Sequence, residues 1–149
     1  MEFEAILYDV SEGIATITLN RPEMMNAFDM IMFEEFMRVF DLTDADDEVG
    51  AVIITGAGRA FCAGADLSKG TETWEGYDEI VEEAKQGDGG GELSRRIYRS
   101  LKPVIVAFNG SAAGMGLTVP LAADIRIATK GAKMGFVFAA RGIIPEACS

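Results

Sequence analysis

Two glycine-rich stretches about fifty residues apart constrain this chain more than any other feature. The first is Gly58-Arg59-Ala60-Phe61-Cys62-Ala63-Gly64-Ala65-Asp66-Leu67, and the second is Asn109-Gly110-Ser111-Ala112-Ala113-Gly114-Met115-Gly116. Each follows a β-branched run that reads as a strand, Ala51-Val52-Ile53-Ile54-Thr55 and Val104-Ile105-Val106-Ala107-Phe108. Glycine and alanine let another group approach the main chain closely, and a helix start leaves N–H groups without helical partners. Two such donors meeting at one point would stabilise a developing oxyanion. Small residues in these places also serve ordinary packing of strand on helix, and either stretch alone fits that plainer role.

Around these loops the pattern alternates between strand and helix, which predicts an α/β fold. Residues 4–9 and 13–19 read as strands joined by a turn at Ser11-Glu12-Gly13. Residues 28–40 carry Met30, Phe33, Phe36, Met37 and Phe40 at helical spacing, with Asp29 placed to cap the helix. This stripe predicts core rather than a cofactor site. The acidic run from Asp44 to Glu48 reads as a solvated turn. Residues 74–85 and 93–101 read as helices separated by Gly87-Asp88-Gly89-Gly90-Gly91, taken as flexible punctuation. A further helix is expected over 115–123, with Pro120 tolerated if its regular part begins near Leu117, and a strand over 124–128.

Composition removes several function classes. The 149 residues make a single domain, and 49% hydrophobic content is ample for a core. A net charge of −11 argues against nucleic acid, whose phosphates need Lys and Arg. Phosphate attraction must then be local, from Arg21, Arg59 or Lys69. There is no histidine, which removes Ser–His and Cys–His nucleophiles and every histidine-based metal site. Two cysteines, Cys62 and Cys148, are too few for a disulfide framework and read as buried free thiols. No stretch gives eighteen uninterrupted apolar residues and the first residues lack the pattern of a secretory signal, so the expectation is a cytoplasmic protein without a membrane span.

Taken together, the blocks resemble the enoyl-CoA hydratase/isomerase, or crotonase, superfamily. The resemblance is carried by Ile14-Ala15-Thr16-Ile17-Thr18-Leu19-Asn20-Arg21-Pro22-Glu23, Met25-Asn26-Ala27-Phe28, Val52-Ile53-Ile54-Thr55-Gly56 and Ala60 through Leu67. It continues in Lys102-Pro103-Val104-Ile105-Val106-Ala107, Asn109-Gly110 and Ala122-Ala123-Asp124-Ile125-Arg126-Ile127-Ala128. It implies a spiral of ββα units over residues 1–149, with residues 70–92 as a mobile loop or insert beside the acyl tail. It implies an acyl-CoA substrate, no cofactor beyond the coenzyme A that the substrate carries, and assembly as a trimer or hexamer. The oxyanion hole falls on the backbone N–H groups of Ala65 and Met115. Substrate contacts fall on Ala27, Ala63, Gly64, Ala65, Asp66, Leu67, Gly114, Met115, Thr118 and Phe138. Members are usually nearly twice this length, so the chain is expected to be a fragment lacking the C-terminal helical part.

The sequence also departs from the family's pattern. Hydratases use two glutamates, the first three residues beyond the second oxyanion donor and the other twenty residues after that. Those positions hold Thr118 and Phe138, neither of which is a carboxylate. Pro145-Glu146-Ala147-Cys148-Ser149 resembles instead a segment of the Δ3,Δ2-enoyl-CoA isomerase branch, which puts a single proton-shuttling base on Glu146, desolvated by Phe136, Phe138 or Ile143. The expectation is double-bond isomerisation through an enolate. Hydration with an unusual acid and base, and acyl-CoA binding without turnover, remain open alternatives.

Overall fold

The computed structural model describes residues 3–68, 88–142 and 144–148. Strands β1 (Ile6–Ser11) and β2 (Ile14–Leu19) form an antiparallel hairpin. Its two-residue turn puts Glu12 at φ 53° and Gly13 at φ 78°, the left-handed pair that matches strand twist. Helix α1 (Met30–Ala45) starts where Asp29 accepts the Met32 N–H at 2.9 Å. It buries Met32, Phe33, Phe36, Val39 and Phe40, while Met30 and Met37 are only partly covered. The predicted stripe is therefore core, displaced slightly around the helix.

The rest of the chain repeats one plan. Strands β3 (Ala51–Gly56) and β4 (Ala60–Cys62) precede α2 (Gly89–Tyr98). Strands β5 (Val104–Phe108) and β6 (Ser111–Ala113) precede α3 (Met115–Thr118), which continues as a 3₁₀ turn over Val119–Ala122. Strands β7 (Ile125–Ala128) and β8 (Met134–Gly135) precede α4 (Phe138–Arg141). First strands pair with first strands in a five-stranded sheet of order β1-β2-β3-β5-β7, parallel after the hairpin. Second strands form a three-stranded parallel sheet, β4-β6-β8. This is the expected spiral of ββα units.

Alternation along β2, β3 and β5 turns Ala15, Ile17, Leu19, Val52, Ile54, Val104, Val106 and Phe108 to the core. Strand β7 is exposed along its whole length.

Three local expectations are corrected. The helix over 115–123 is one α turn followed by a 3₁₀ turn, because Pro120 has no N–H to continue the α ladder. Gly89, Gly90 and Gly91 are the buried first turn of α2 rather than a flexible spacer, with Asp88 as its cap. Asp44 is not merely solvated: it accepts from Arg96, the Ser100 hydroxyl and the Leu101 N–H, tying α1 to the end of α2. The helix expected over 74–85 lies outside the described residues.

Candidate active site

The two glycine loops meet because side chains are missing where they touch. A methyl group at Gly116 would lie 2.5 Å from the Cys62 carbonyl oxygen, and one at Gly110 would lie 2.2 Å from that of Arg59. At Gly64, which has φ +101°, it would lie 2.9 Å from the Ala113 oxygen and 3.6 Å from the Met115 nitrogen. The loops are then stitched together. Asn109 Oδ1 accepts the Gly56 N–H at 3.0 Å, and its Nδ2 donates to the Gly58 oxygen at 3.0 Å. Asn26, wholly buried, donates to the Ala57, Ala60 and Phe61 oxygens at 2.9, 3.0 and 3.1 Å.

Where the loops meet, a cavity of about 350 Å³ opens. It is walled by the first loop at Ala63, Gly64, Ala65 and Leu67, and by the second at Ala113, Gly114 and Met115. Val137, Phe138, Arg141 and Glu146 complete it. Phe28 donates its N–H to the Gly64 oxygen and accepts from the Asp66 N–H, both at 2.8 Å, in a parallel bridge that leaves the intervening Ala65 N–H unused. Among the described residues neither the Ala65 nor the Met115 N–H has a protein acceptor. Two uncommitted donors thus belong to residues lining one cavity.

Glu146 is the single carboxylate among the described lining residues. Burial pushes its carboxyl above the ordinary carboxylate value, and the negative Asp88 acts in the same direction. Phe138 and Val137 are apolar residues lining the same cavity. Phe136, expected to share this role, is 57% exposed and lies outside the lining, and Ile143 lies outside the described residues. The residues after Glu146 are held in an uncommon backbone, with Ala147 at φ 59° and Cys148 at φ 61°. Each such residue costs roughly 1–2 kcal/mol and persists where its surroundings dictate it.

Other sequence expectations are redistributed. Thr118 is buried, and its hydroxyl donates to the Gly114 oxygen at 3.4 Å instead of facing the cavity. Ala27 is also buried away from the lining, its oxygen accepting from Arg21. Arg21 is committed to Asp66 at 3.0 Å and Asp29 at 3.2 Å, so it is not a spare phosphate contact. Burial disfavours the charge on Asp66, but hydrogen bonds from Ser68 and Arg21 outweigh this and hold its carboxyl below the ordinary value. Asp66 is therefore a clamp between loop and helix. Lys69 lies outside the described residues. Cys62 is buried as expected, whereas Cys148 is exposed. Sequence reasoning missed Val137 and Arg141 at the cavity, which a four-residue helix is too short to announce.

Comparisons with known proteins place the chain in a family and a fold. The profile of the enoyl-CoA hydratase/isomerase family fits residues 9–149. The chain is 39% identical over 140 residues to the enoyl-CoA hydratase ACTT3 of Alternaria alternata, covering 93% of this chain and 45% of that protein. It is 38% identical to the 1,2-epoxyphenylacetyl-CoA isomerase of Escherichia coli, covering 98% and 55%. The crystal structure of an enoyl-CoA hydratase/isomerase from Xanthobacter autotrophicus superposes with a TM-score of 0.83 at 35% identity, covering 95% of this chain and 52% of that one. The chain thus spans about half the length of the relatives it matches.

Proposed function

The chain belongs to the enoyl-CoA hydratase/isomerase family, and from that premise we propose that it acts on an acyl-CoA thioester through an enolate, most simply by moving a double bond. The observation that carries this reading is the one cavity shared by Ala65, Met115 and Glu146. The thioester oxygen accepts the N–H groups of Ala65 and Met115. Glu146 takes a proton from C2 of a 3-enoyl-CoA, the electrons move into the oxyanion-stabilised dienolate, and the same carboxyl returns a proton at C4. The product is the 2-enoyl-CoA, with no atom gained or lost. Burial disfavours the charged form of this carboxyl, so it takes up the abstracted proton more readily than an ordinary carboxylate would, and the same group can hand it back. Phe138 and Val137 give the cavity an apolar side that offers an attacking water no acid or base.

Hydration would need a second acid or base beside the cavity. Thr118 is turned away and Phe138 is apolar, so the residues standing in the two hydratase positions supply neither. The test is to mix the protein with 3-enoyl-CoA and with 2-enoyl-CoA and follow the products by mass spectrometry. Isomerised product is expected, and Glu146→Gln should lower its rate by roughly 10²–10⁴, the range for general acid–base catalysis. Hydrated product, or unchanged ligand that nonetheless binds, would overturn the isomerase reading in favour of hydration or of binding alone.

A further inference from the structure

We propose that Asp88 is a positioning residue for Glu146, tying the first turn of α2 to the backbone beside that carboxyl. The inference rests on the proposed role of Glu146. Asp88 Oδ1 accepts the Gly91 N–H at 2.6 Å and so caps α2. Both oxygens of the same carboxylate lie 3.2 Å from the Ala147 nitrogen, whose N–H donates to them. The other end of the Ala147 peptide is also held: the buried Ser94 hydroxyl, one turn along α2, donates to the Ala147 oxygen at 2.9 Å. One helix therefore grips the residue after Glu146 by its N–H and its carbonyl. That grip accounts for the left-handed backbone of Ala147 and Cys148, which has no glycine to ease it.

The glycines of α2 make the grip possible. A methyl group at Gly90 would lie 2.9 Å from Ala147 Cβ and 3.3 Å from Met115 Sδ, and one at Gly91 would lie 3.3 Å from Cys148 Sγ. The first turn of α2 is thus wedged between the Glu146 segment and the residue that carries the second oxyanion donor. Among the described residues, Asp88 acts on Glu146, Arg141 lines the same cavity, and Arg95, paired with Glu92, faces Asp88 and Cys148. Asp88 both bonds to the adjoining peptide and shifts the Glu146 carboxyl.

The test compares Asp88→Ser and Asp88→Asn with the parent and with Glu146→Gln, all in the full chain. Serine still caps a helix but is too short to reach Ala147. Asparagine keeps the length and one accepting oxygen and removes the charge. Asp88→Ser should lower kcat by about 10- to 100-fold with KM little changed, as expected of a misplaced catalytic group. It should also speed hydrogen exchange at the Ala147 amide. Asp88→Asn should keep kcat near the parent at its optimum, with the ascending limb of the pH profile moved to lower pH, because the group that disfavours the Glu146 carboxylate is gone. A parent-like Asp88→Ser beside a collapsed Glu146→Gln overturns the positioning role alone. An Asp88→Asn as slow as Asp88→Ser, or unchanged Ala147 exchange in Asp88→Ser, does the same. If Glu146→Gln turns over like the parent, the base assignment itself fails and takes this inference with it.

Discussion

Cys62 and Cys148 carry the same thiol in opposite surroundings. Burial pushes the Cys62 thiol up to about 12, against a weaker opposing pull from its Gly64 contact, while Cys148 stands exposed. Only thiolate is nucleophilic. Iodoacetamide near pH 8 should therefore modify Cys148 in the folded protein and reach Cys62 only on unfolding, as peptide mass spectrometry will report. Equal labelling of both would contradict the packing around Cys62. Glu146 has a less familiar consequence. Its carboxyl is raised on folding, so its contribution to stability is complete below its unfolded value and is lost as pH rises through the folded one. Glu146→Gln should thus be the more stable protein at neutral pH, with the advantage vanishing on acidification. Thermal melts across that range check the sign, and a gap that widens at low pH would refute it. Asn26 is the opposite kind of residue, wholly structural. Asn26→Asp turns a negative oxygen toward the Ala57, Ala60 and Phe61 carbonyls, which should cost about 3–5 kcal/mol, as for other unpaired buried charges.

At the scale of elements, the first turn of α2 gives the sharpest test of packing against propensity. Gly90→Ala gains about 1 kcal/mol of helix propensity. The added methyl meets Ala147 Cβ at 2.9 Å, and overpacking of that kind costs about 1–3 kcal/mol. A net loss in urea denaturation is expected, together with slower turnover, and a stabilised variant would show that the segment yields. The same turn explains where reading the sequence stopped. Strands β2, β3 and β5 were legible from their β-branched alternation, and α1 from its Met/Phe stripe and the Asp29 cap. Strands β4, β6 and β8 run two or three residues each, too few for any period to appear. Three consecutive glycines look like a break until a partner is seen that requires their smallness, and that partner, Ala147, bonds to a residue 59 positions earlier. Within the site, the sequence named Ala65, Met115 and Glu146, and one cavity is lined by all three. The hydrogen bond of Thr118 to Gly114 and the Arg21 contacts of Ala27 and Asp66 were not legible, because which way a buried polar group turns is decided by tertiary neighbours.

The whole molecule carries a net charge of −11 and spends several cations internally, with Arg21 on Asp29 and Asp66 and Arg96 on Asp41 and Asp44. Among the described residues the proposed acyl-CoA ligand would meet few uncommitted cations, Arg141 at the cavity being one. Its affinity should change only a few-fold between low and high salt, since screening acts on exposed charge pairs. A steep loss, measured by titration calorimetry, would reveal a basic cluster outside the described residues. The spiral also divides the proposed chemistry into two kinds of inheritance. Ala65 and Met115 follow the second strands of successive units, and what they offer is main chain. Ordinary substitutions at these positions leave the N–H in place, and proline alone deletes it. Glu146 is a side chain, removable in one step. A lineage built on this architecture would therefore keep the proposed means of polarising a thioester for as long as it keeps its shape, while the proposed proton-handling side chain could be exchanged in one substitution.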